Sequence, residues 1–185
     1  MNKFIKIAAI VCLLSCSSVF GAKISGIKIP DSIQNNTLVL NGAGIRSKFF
    51  FDLYVGALYL KKKTKNAQEI INANEPMDIT LYITSSLISS DKMTNGTMEG
   101  FEKSTDGHIK PIKQEISQFL AVFTQKIRNG DIYDFSYVPG VGVKIYKNNK
   151  FATTIEGLKF KKALFGIWLC NKPAQKSLKK KMLGI

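Results

Sequence analysis

In the stretch LNGAGIRSKFFFDLYVGALYL, Leu40 to Leu60, one arginine stands between a glycine-rich run and a series of aromatic and β-branched residues. A guanidinium stays charged at physiological pH and presents a planar fork of donors, so Arg46 in such apolar company requires an acidic side chain, several carbonyls or an anionic ligand. The structural reading is a salt bridge to Asp52 or another carboxylate, or exposure at a strand end. The functional reading is an anion site. The remaining reactive side chains are less specific. His108, in TDGHIK, is the single histidine and lacks the cysteine or histidine partners of a zinc site, so it reads as a surface loop residue and no metal is expected. Cys170 sits beside Trp168 in an apolar segment, where a small packed thiol is the expectation rather than a nucleophile. Gly42-Ala43-Gly44 is only a fragment of a nucleotide-binding fingerprint; a tight backbone approach explains it better, and no cofactor is expected. Asn35-Asn36-Thr37 and Asn95-Gly96-Thr97 match the glycosylation sequon, a pattern too common to carry weight.

These residues need a scaffold, and the hydrophobic patterning predicts one. KISGIKI, Lys23 to Ile29, alternates like a short strand that Pro30 ends, and Leu38 to Ile45 and Phe49 to Leu60 read as two longer strands. Asn66 is placed to cap a short helix to about Ala73, and Met77 to Thr84 alternates Ile79, Leu81 and Ile83 against polar neighbours as a further strand. Ser90 and Asp91 can open a helix through Met98 and Phe101, weakened by Gly96 and Gly100. Ile112, Ile116, Phe119, Leu120, Phe123 and Ile127 recur at helical spacing up to a stop at Asn129-Gly130. IYDFSY, VPGVG and VKIYKNNKFATTI then predict three antiparallel strands, with Pro139-Gly140 and Asn148-Asn149 as turns. Phe160, Leu164, Phe165, Trp168 and Leu169 mark a helix, and Pro173 is read as the first turn of a second one. Strands, helices, strands and helices without βαβ alternation predict an α+β fold with helices packed on an antiparallel sheet.

The chain has 185 residues, 45% hydrophobic and 10% aromatic, which suits one domain with a sizeable core. Lys3 and Lys6 precede the apolar run Ile7 to Leu14, and small residues follow at Ser15, Ser17, Ser18, Gly21 and Ala22. The run is about half the roughly 20 residues that a membrane-spanning helix needs, so a retained anchor is the weaker reading. It predicts a signal peptide over residues 1–21, cleaved before Ala22, and a domain over residues 22–185 in the periplasm or outside the cell. Leu13-Leu14-Ser15-Cys16 offers an alternative in which Cys16 carries lipid. Cleavage leaves Cys170 without an intramolecular disulfide partner. The formal net charge of +14 comes from dispersed lysines, including Lys61-Lys62-Lys63, Lys161-Lys162 and Lys179-Lys180-Lys181. No aromatic-interleaved pattern or nucleic-acid motif accompanies them, so a solvated basic surface, or one drawn to anionic lipid, is expected instead of a nucleic-acid partner.

LNGAGIR with the following DLYVGALYL, FSYVPGVGVKIYKNNK, and FKKALFGIWLCNKPAQKSLKKKMLG together resemble the chalcone isomerase-like superfamily. The run F-x-x-A-L-F-G-I-W-L, then K-P-A-Q-x-S-L, resembles its exported bacterial branch, which usually has glycine where this chain has Cys170. The resemblance extends from about Ile24 to the end. It implies an open-faced β-sandwich, a large antiparallel sheet with helices on one side and a cleft against a smaller sheet. In plant chalcone isomerases an arginine after the Gly-x-Gly strand stabilises the enolate during flavanone ring closure, and Arg46 stands at that position. In the fatty-acid-binding relatives the same arginine and a tyrosine on the next strand hold the ligand carboxylate. Tyr54 matches that tyrosine, where the true isomerases have threonine.

An arginine fork and a phenol hydroxyl can together satisfy a carboxylate while apolar side chains bury an acyl chain; the same pair can stabilise an oxyanion in a transition state. The leading expectation is therefore a non-catalytic binding protein for a fatty acid or similar amphipathic carboxylate, with Arg46 as anchor and Tyr54 as hydrogen-bond partner. The alternatives are an intramolecular lyase closing a ring on an enone through Arg46, and an interaction protein using the basic segment Ala174 to Leu183 on anionic membrane. The first expectation carries a geometric condition. Unbroken strand between Arg46 and Tyr54 would part them by about 26 Å, and SKFFFD contains no glycine or proline to mark a reversal.

Overall fold

The computed structural model describes residues 23–185, so the leader read over residues 1–21, with Cys12 and Cys16, lies outside the described residues. The first two strands, β1 (Lys23–Ile24) and β2 (Ile27–Lys28), form a small ribbon. Lys23 to Ile29 is thus not one strand, because Ser25 and Gly26 take left-handed backbone angles and fold it back on itself. The main sheet has seven strands in chain order: β3 (Ser32–Ile33), β4 (Leu38–Lys48), β5 (Phe51–Leu60), β6 (Met77–Ile83), β7 (Ile132–Val138), β8 (Gly142–Lys147) and β9 (Lys150–Ile155). Every neighbouring pair is antiparallel, and the sheet is curled with helices packed on one side. This is the α+β architecture that the order of elements predicts.

Among the described residues, five α-helices cover one face: α1 (Ala67–Asn72), α2 (Ser90–Ser104), α3 (Lys113–Ala121), α4 (Leu158–Leu169) and α5 (Lys176–Met182). Their apolar sides join Leu58, Ile79, Leu81, Phe135 and Ile145 of the sheet in one continuous core. Alternation puts the intervening residues on the other face, where Val55, Ala57 and Tyr59 pack with Ile29 and Leu38 of the amino-terminal segment. That face also buries polar side chains. Gln34 Nε2 donates to Ser136 Oγ at 2.7 Å and Tyr59 Oη donates to the Pro30 carbonyl at 3.1 Å.

Local chemistry explains several boundaries. Asn66 caps α1 through Oδ1, which accepts from the backbone N–H groups of Gln68 and Glu69 at 3.1 Å each. α2 runs through both of its glycines because helix packing needs one of them: a Cβ on Gly100 would lie 2.7 Å from Ile167 Cγ2 on α4. α3 ends at Ala121, well before the expected stop at Asn129, as the Val122 and Phe123 N–H groups bond three residues back and tighten the chain. Phe123 and Ile127 remain buried in the tail that follows.

Two further expectations need correction. α5 begins at Lys176, so Pro173 lies in the connection after α4 and not in a first helical turn. Lys161 is not part of a solvated basic surface but fully buried. Its ammonium donates to the Ile70, Ile71 and Ala73 carbonyls at 2.7, 3.0 and 2.8 Å, satisfying the open end of α1. Burial, with Lys162 nearby, pulls its pKa down to about 7, while the three carbonyls favour the charged form.

Candidate ligand-binding site

The reversal between Arg46 and Tyr54 exists, and it is made of phenylalanine. Phe49 and Phe50 are the two central residues of the β4–β5 hairpin turn, at φ +49° and +68°. Asparagine and glycine usually fill such positions because a bulky side chain crowds the backbone there. With the turn in place, Arg46 sits directly opposite Tyr54 in the register, and a bulge follows between Arg46 and Ser47. Residues paired this way share a face, with side chains about 5 Å apart at their roots. The 26 Å separation does not arise.

The strand before the turn explains what surrounds Arg46. Gly42, Gly44 and Arg46 recur with the strand period of two, so all three lie on the helix-bearing face. The glycines leave that face bare and α5 lies down on it. A Cβ on Gly42 would fall 2.1 Å from the Lys181 carbonyl oxygen, and one on Gly44 2.6 Å from Lys181 Cβ. The tight approach expected of this glycine pair is therefore a helix docked on a strand. Asn41 fastens the arrangement, donating from Nδ2 to the Met182 carbonyl at 2.8 Å and accepting from the Thr64 N–H at 2.9 Å. Arg46, the next residue on the face, reaches the segment leading into α5 and donates from Nη1 to the Ala174 carbonyl.

Asp52 is not its partner. That carboxylate accepts from Ser47 Oγ at 2.8 Å, and no ion pair found among the described residues involves Arg46. The extra residue of the bulge pairs Ser47 with Asp52 across the hairpin and leaves Arg46 facing Tyr54. Glu99, which lines the same cavity, is held by Lys103, whose hydrogen bond keeps the carboxyl below its usual range.

Tyr54 has a defined hydrogen-bond polarity. Trp168 Nε1 lies 3.0 Å from its oxygen, and an indole N–H can only donate, so the phenol oxygen accepts and its own proton is free to be donated elsewhere. Burial pushes the phenol pKa up, with Arg46 and Trp168 offsetting part of the effect. Tyr54 is a neutral donor at physiological pH. It is not poised as a base.

Both side chains line a cavity of about 570 Å³ between the sheet and helices α2 to α4, within the ordinary range for small-molecule sites. Leu81 and Phe135 contribute from the sheet, Met93 from α2, Phe119 from α3, and Ile167 and Trp168 from α4. Phe135 stacks on Trp168 at a centroid distance of 6.1 Å. Phe119, Phe123 and Phe135 are buried, whereas Lys48, Phe49, Phe51, Leu87 and Lys92 are exposed and form the rim. The site is a mostly apolar chamber into which one guanidinium and one phenol project.

Trp168 as the partner of Tyr54, and Lys48 and Lys92 at the rim, are not apparent from the sequence. The spacing of α4 marks Trp168 only as core, and nothing local links it to a tyrosine more than a hundred residues earlier. His108 is exposed, and among the described residues no group of histidine, cysteine and acidic side chains could hold a metal ion. Cys170 caps α4, half-buried, with its carbonyl accepting from Lys179 Nζ at 3.0 Å. The basic carboxy-terminal helix turns Leu178 and Met182 inward. Its apolar side is occupied by the sheet.

No curated protein matches the chain. Among solved structures, a fatty-acid binding protein of Arabidopsis thaliana is similar, with a TM-score of 0.69 at 15% identity, covering 86% of this chain and 92% of that one. The family model described as chalcone isomerase-like matches residues 21–184. With that match over nearly the whole length, and with the seven-stranded sheet and its helical cover, the chain belongs to the chalcone isomerase-like family.

Proposed function

We propose that this protein is a non-catalytic binding protein that holds a fatty acid, or a similar amphipathic carboxylate, with its head group on Arg46 and Tyr54 and its acyl chain in the cavity. The observation that carries this reading is the pairing of Arg46 with Tyr54 across one hairpin, at the wall of an apolar chamber and without a carboxylate partner. Arg46 spends one donor on Ala174 and keeps the rest of its fork for an anion, while Tyr54 offers the proton that its bond from Trp168 leaves free. Each methylene buried among the phenylalanines adds about 0.8 kcal/mol. The similarity to a fatty-acid binding protein supports the same ligand class.

The protein is proposed to act after export, with residues 1–21 removed. An intact mass of the protein recovered from its native compartment, beginning at Ala22, is the expected outcome. Native mass spectrometry of gently purified protein, followed by titration with long-chain fatty acids, tests the ligand. Co-purifying lipid and saturable binding are expected; the absence of both removes the reading. The same two donors suit an enolate oxygen. Turnover of a chalcone-like enone above the uncatalysed rate, lost on Arg46→Ala, would replace binding with catalysis.

A further inference from the structure

Phe49, Phe50 and Phe51 stand at the tip of the β4–β5 hairpin with relative exposures of 78%, 104% and 58%, and Leu87 across the cavity rim is 44% exposed. Exposed single apolar residues are ordinary, but three consecutive phenylalanines are not. Two of them also occupy left-handed backbone positions that asparagine or glycine would fill with less strain. Neither the fold nor the turn requires an aromatic residue there. Lys48 lies at the foot of the tip with Nζ 5.6 Å from the Phe49 ring centre, and Lys92 borders the same rim, donating to the Leu87 carbonyl at 3.1 Å. Of the acidic groups nearby, Asp52 accepts from Ser47 and Glu99 pairs with Lys103, while Asp91 is exposed at the start of α2.

We infer that this tip is a membrane-docking wedge: Phe49, Phe50, Phe51 and Leu87 enter the interfacial layer of an anionic bilayer while Lys48 and Lys92 meet its head groups. Apolar side chains flanked by lysines are the combination that binds such an interface, by burial of apolar area and by attraction to negative lipid. The formal charge of the chain, about +12 once Lys3 and Lys6 leave with residues 1–21, adds a long-range pull in the same direction. The wedge is also part of the cavity rim, since Lys48, Phe49, Phe51, Leu87 and Lys92 line both. Docking therefore sets the cavity mouth against the lipid, and an acyl chain passes between bilayer and chamber without crossing water. This last step rests on the ligand reading above, whereas the docking does not. The basic helix α5 is the less suitable membrane contact because its apolar side is already packed on β4.

The test uses vesicles of mixed phosphatidylcholine and phosphatidylglycerol, phosphatidylcholine vesicles, and the double variant Phe49→Asn/Phe50→Gly in the same background. Asn-Gly is the favoured pair for this turn, so the variant keeps the hairpin while losing the wedge. We expect the wild type to sediment with the anionic vesicles and the variant to bind them at least about tenfold more weakly. The single variant Phe50→Gly, at a residue that does not line the cavity, should also bind the anionic vesicles more weakly, and vesicle-free titration with a fatty acid should give it the same affinity as the wild type. Arg46→Ala should show the converse, with vesicle binding retained and fatty-acid affinity reduced. Unchanged vesicle binding by the double variant overturns the inference. So does a wild type that ignores both vesicle types, or one whose tip instead makes dimers that the double variant abolishes in sedimentation velocity. Failure of the ligand reading appears only in the vesicle-free titration.

Discussion

Two hairpins of the same sheet share one turn geometry and differ in both of the central residues that make it. At the β8–β9 tip, Asn148 and Asn149 take φ +52° and +63°; at the β4–β5 tip, Phe49 and Phe50 take +49° and +68°. The asparagines suit the task. They tolerate the left-handed region, and Asn148 also accepts from the Ile132 N–H at 2.8 Å and donates to Asp131 at 2.9 Å. The phenylalanines gain nothing comparable: they are exposed, and their backbones sit where a bulky residue costs about 1–2 kcal/mol each. The first tip is built for the fold. The second carries residues that the fold alone would disfavour, beside the cavity, and the difference separates scaffold from working surface.

Both tips belong to the same seven-stranded sheet, whose middle strand is β6. Asp78 on β6 is buried, and burial, with Asp134 beside it, pushes its pKa from 3.8 up to about 7. In the folded protein it keeps a proton that the unfolded chain has already lost. The Asp78 contribution to stability therefore falls as pH rises from about 4 to about 7, by about 4 kcal/mol, and is constant above that range. Urea unfolding across that range should reveal the slope in the wild type and a flatter profile in Asp78→Asn. A wild-type profile that rises over the same interval would contradict the assignment.

Exchanging the residues of the two tips should shift stability in opposite directions. Asn148→Phe/Asn149→Phe forces two aromatics into left-handed positions and deletes the hydrogen bonds of Asn148, for an expected loss of about 3 kcal/mol in urea unfolding at constant pH. Phe49→Asn/Phe50→Gly relieves the same conflict at the other end, and a gain of about 1–2 kcal/mol is expected. Equal and opposite roles would be refuted if the second variant unfolded more readily than the wild type. In that case the phenylalanines would be serving the fold after all.

Much of the scaffold is legible in the sequence. Alternation in Met77 to Thr84, the Asn66 cap and the Asn148-Asn149 turn each declare themselves within a few residues. Arg46 is legible too, because a guanidinium in apolar company requires an explanation. The reversal that brings Tyr54 to it is not, since turn chemistry favours glycine, asparagine and proline, and SKFFFD has none of them. Pairing along β4 and β5 imposes the turn on phenylalanine against its local preference. Lys161 is hidden for a related reason: its partners are backbone carbonyls about ninety residues earlier, and a carbonyl leaves no mark in composition. Trp168 is likewise visible as core but not as the donor that fixes the polarity of Tyr54. What escapes the sequence is decided by distant backbone meeting a side chain.

In the proposed function, Arg46 and Tyr54 read a carboxylate and not merely an acyl chain. The most direct measurement is calorimetric titration of wild type and Arg46→Ala with a long-chain fatty acid and with the alcohol of the same length. The wild type should prefer the acid by about tenfold or more, as charge-assisted hydrogen bonds require, and Arg46→Ala should bind the two alike. Equal affinity of the wild type for acid and alcohol would contradict it.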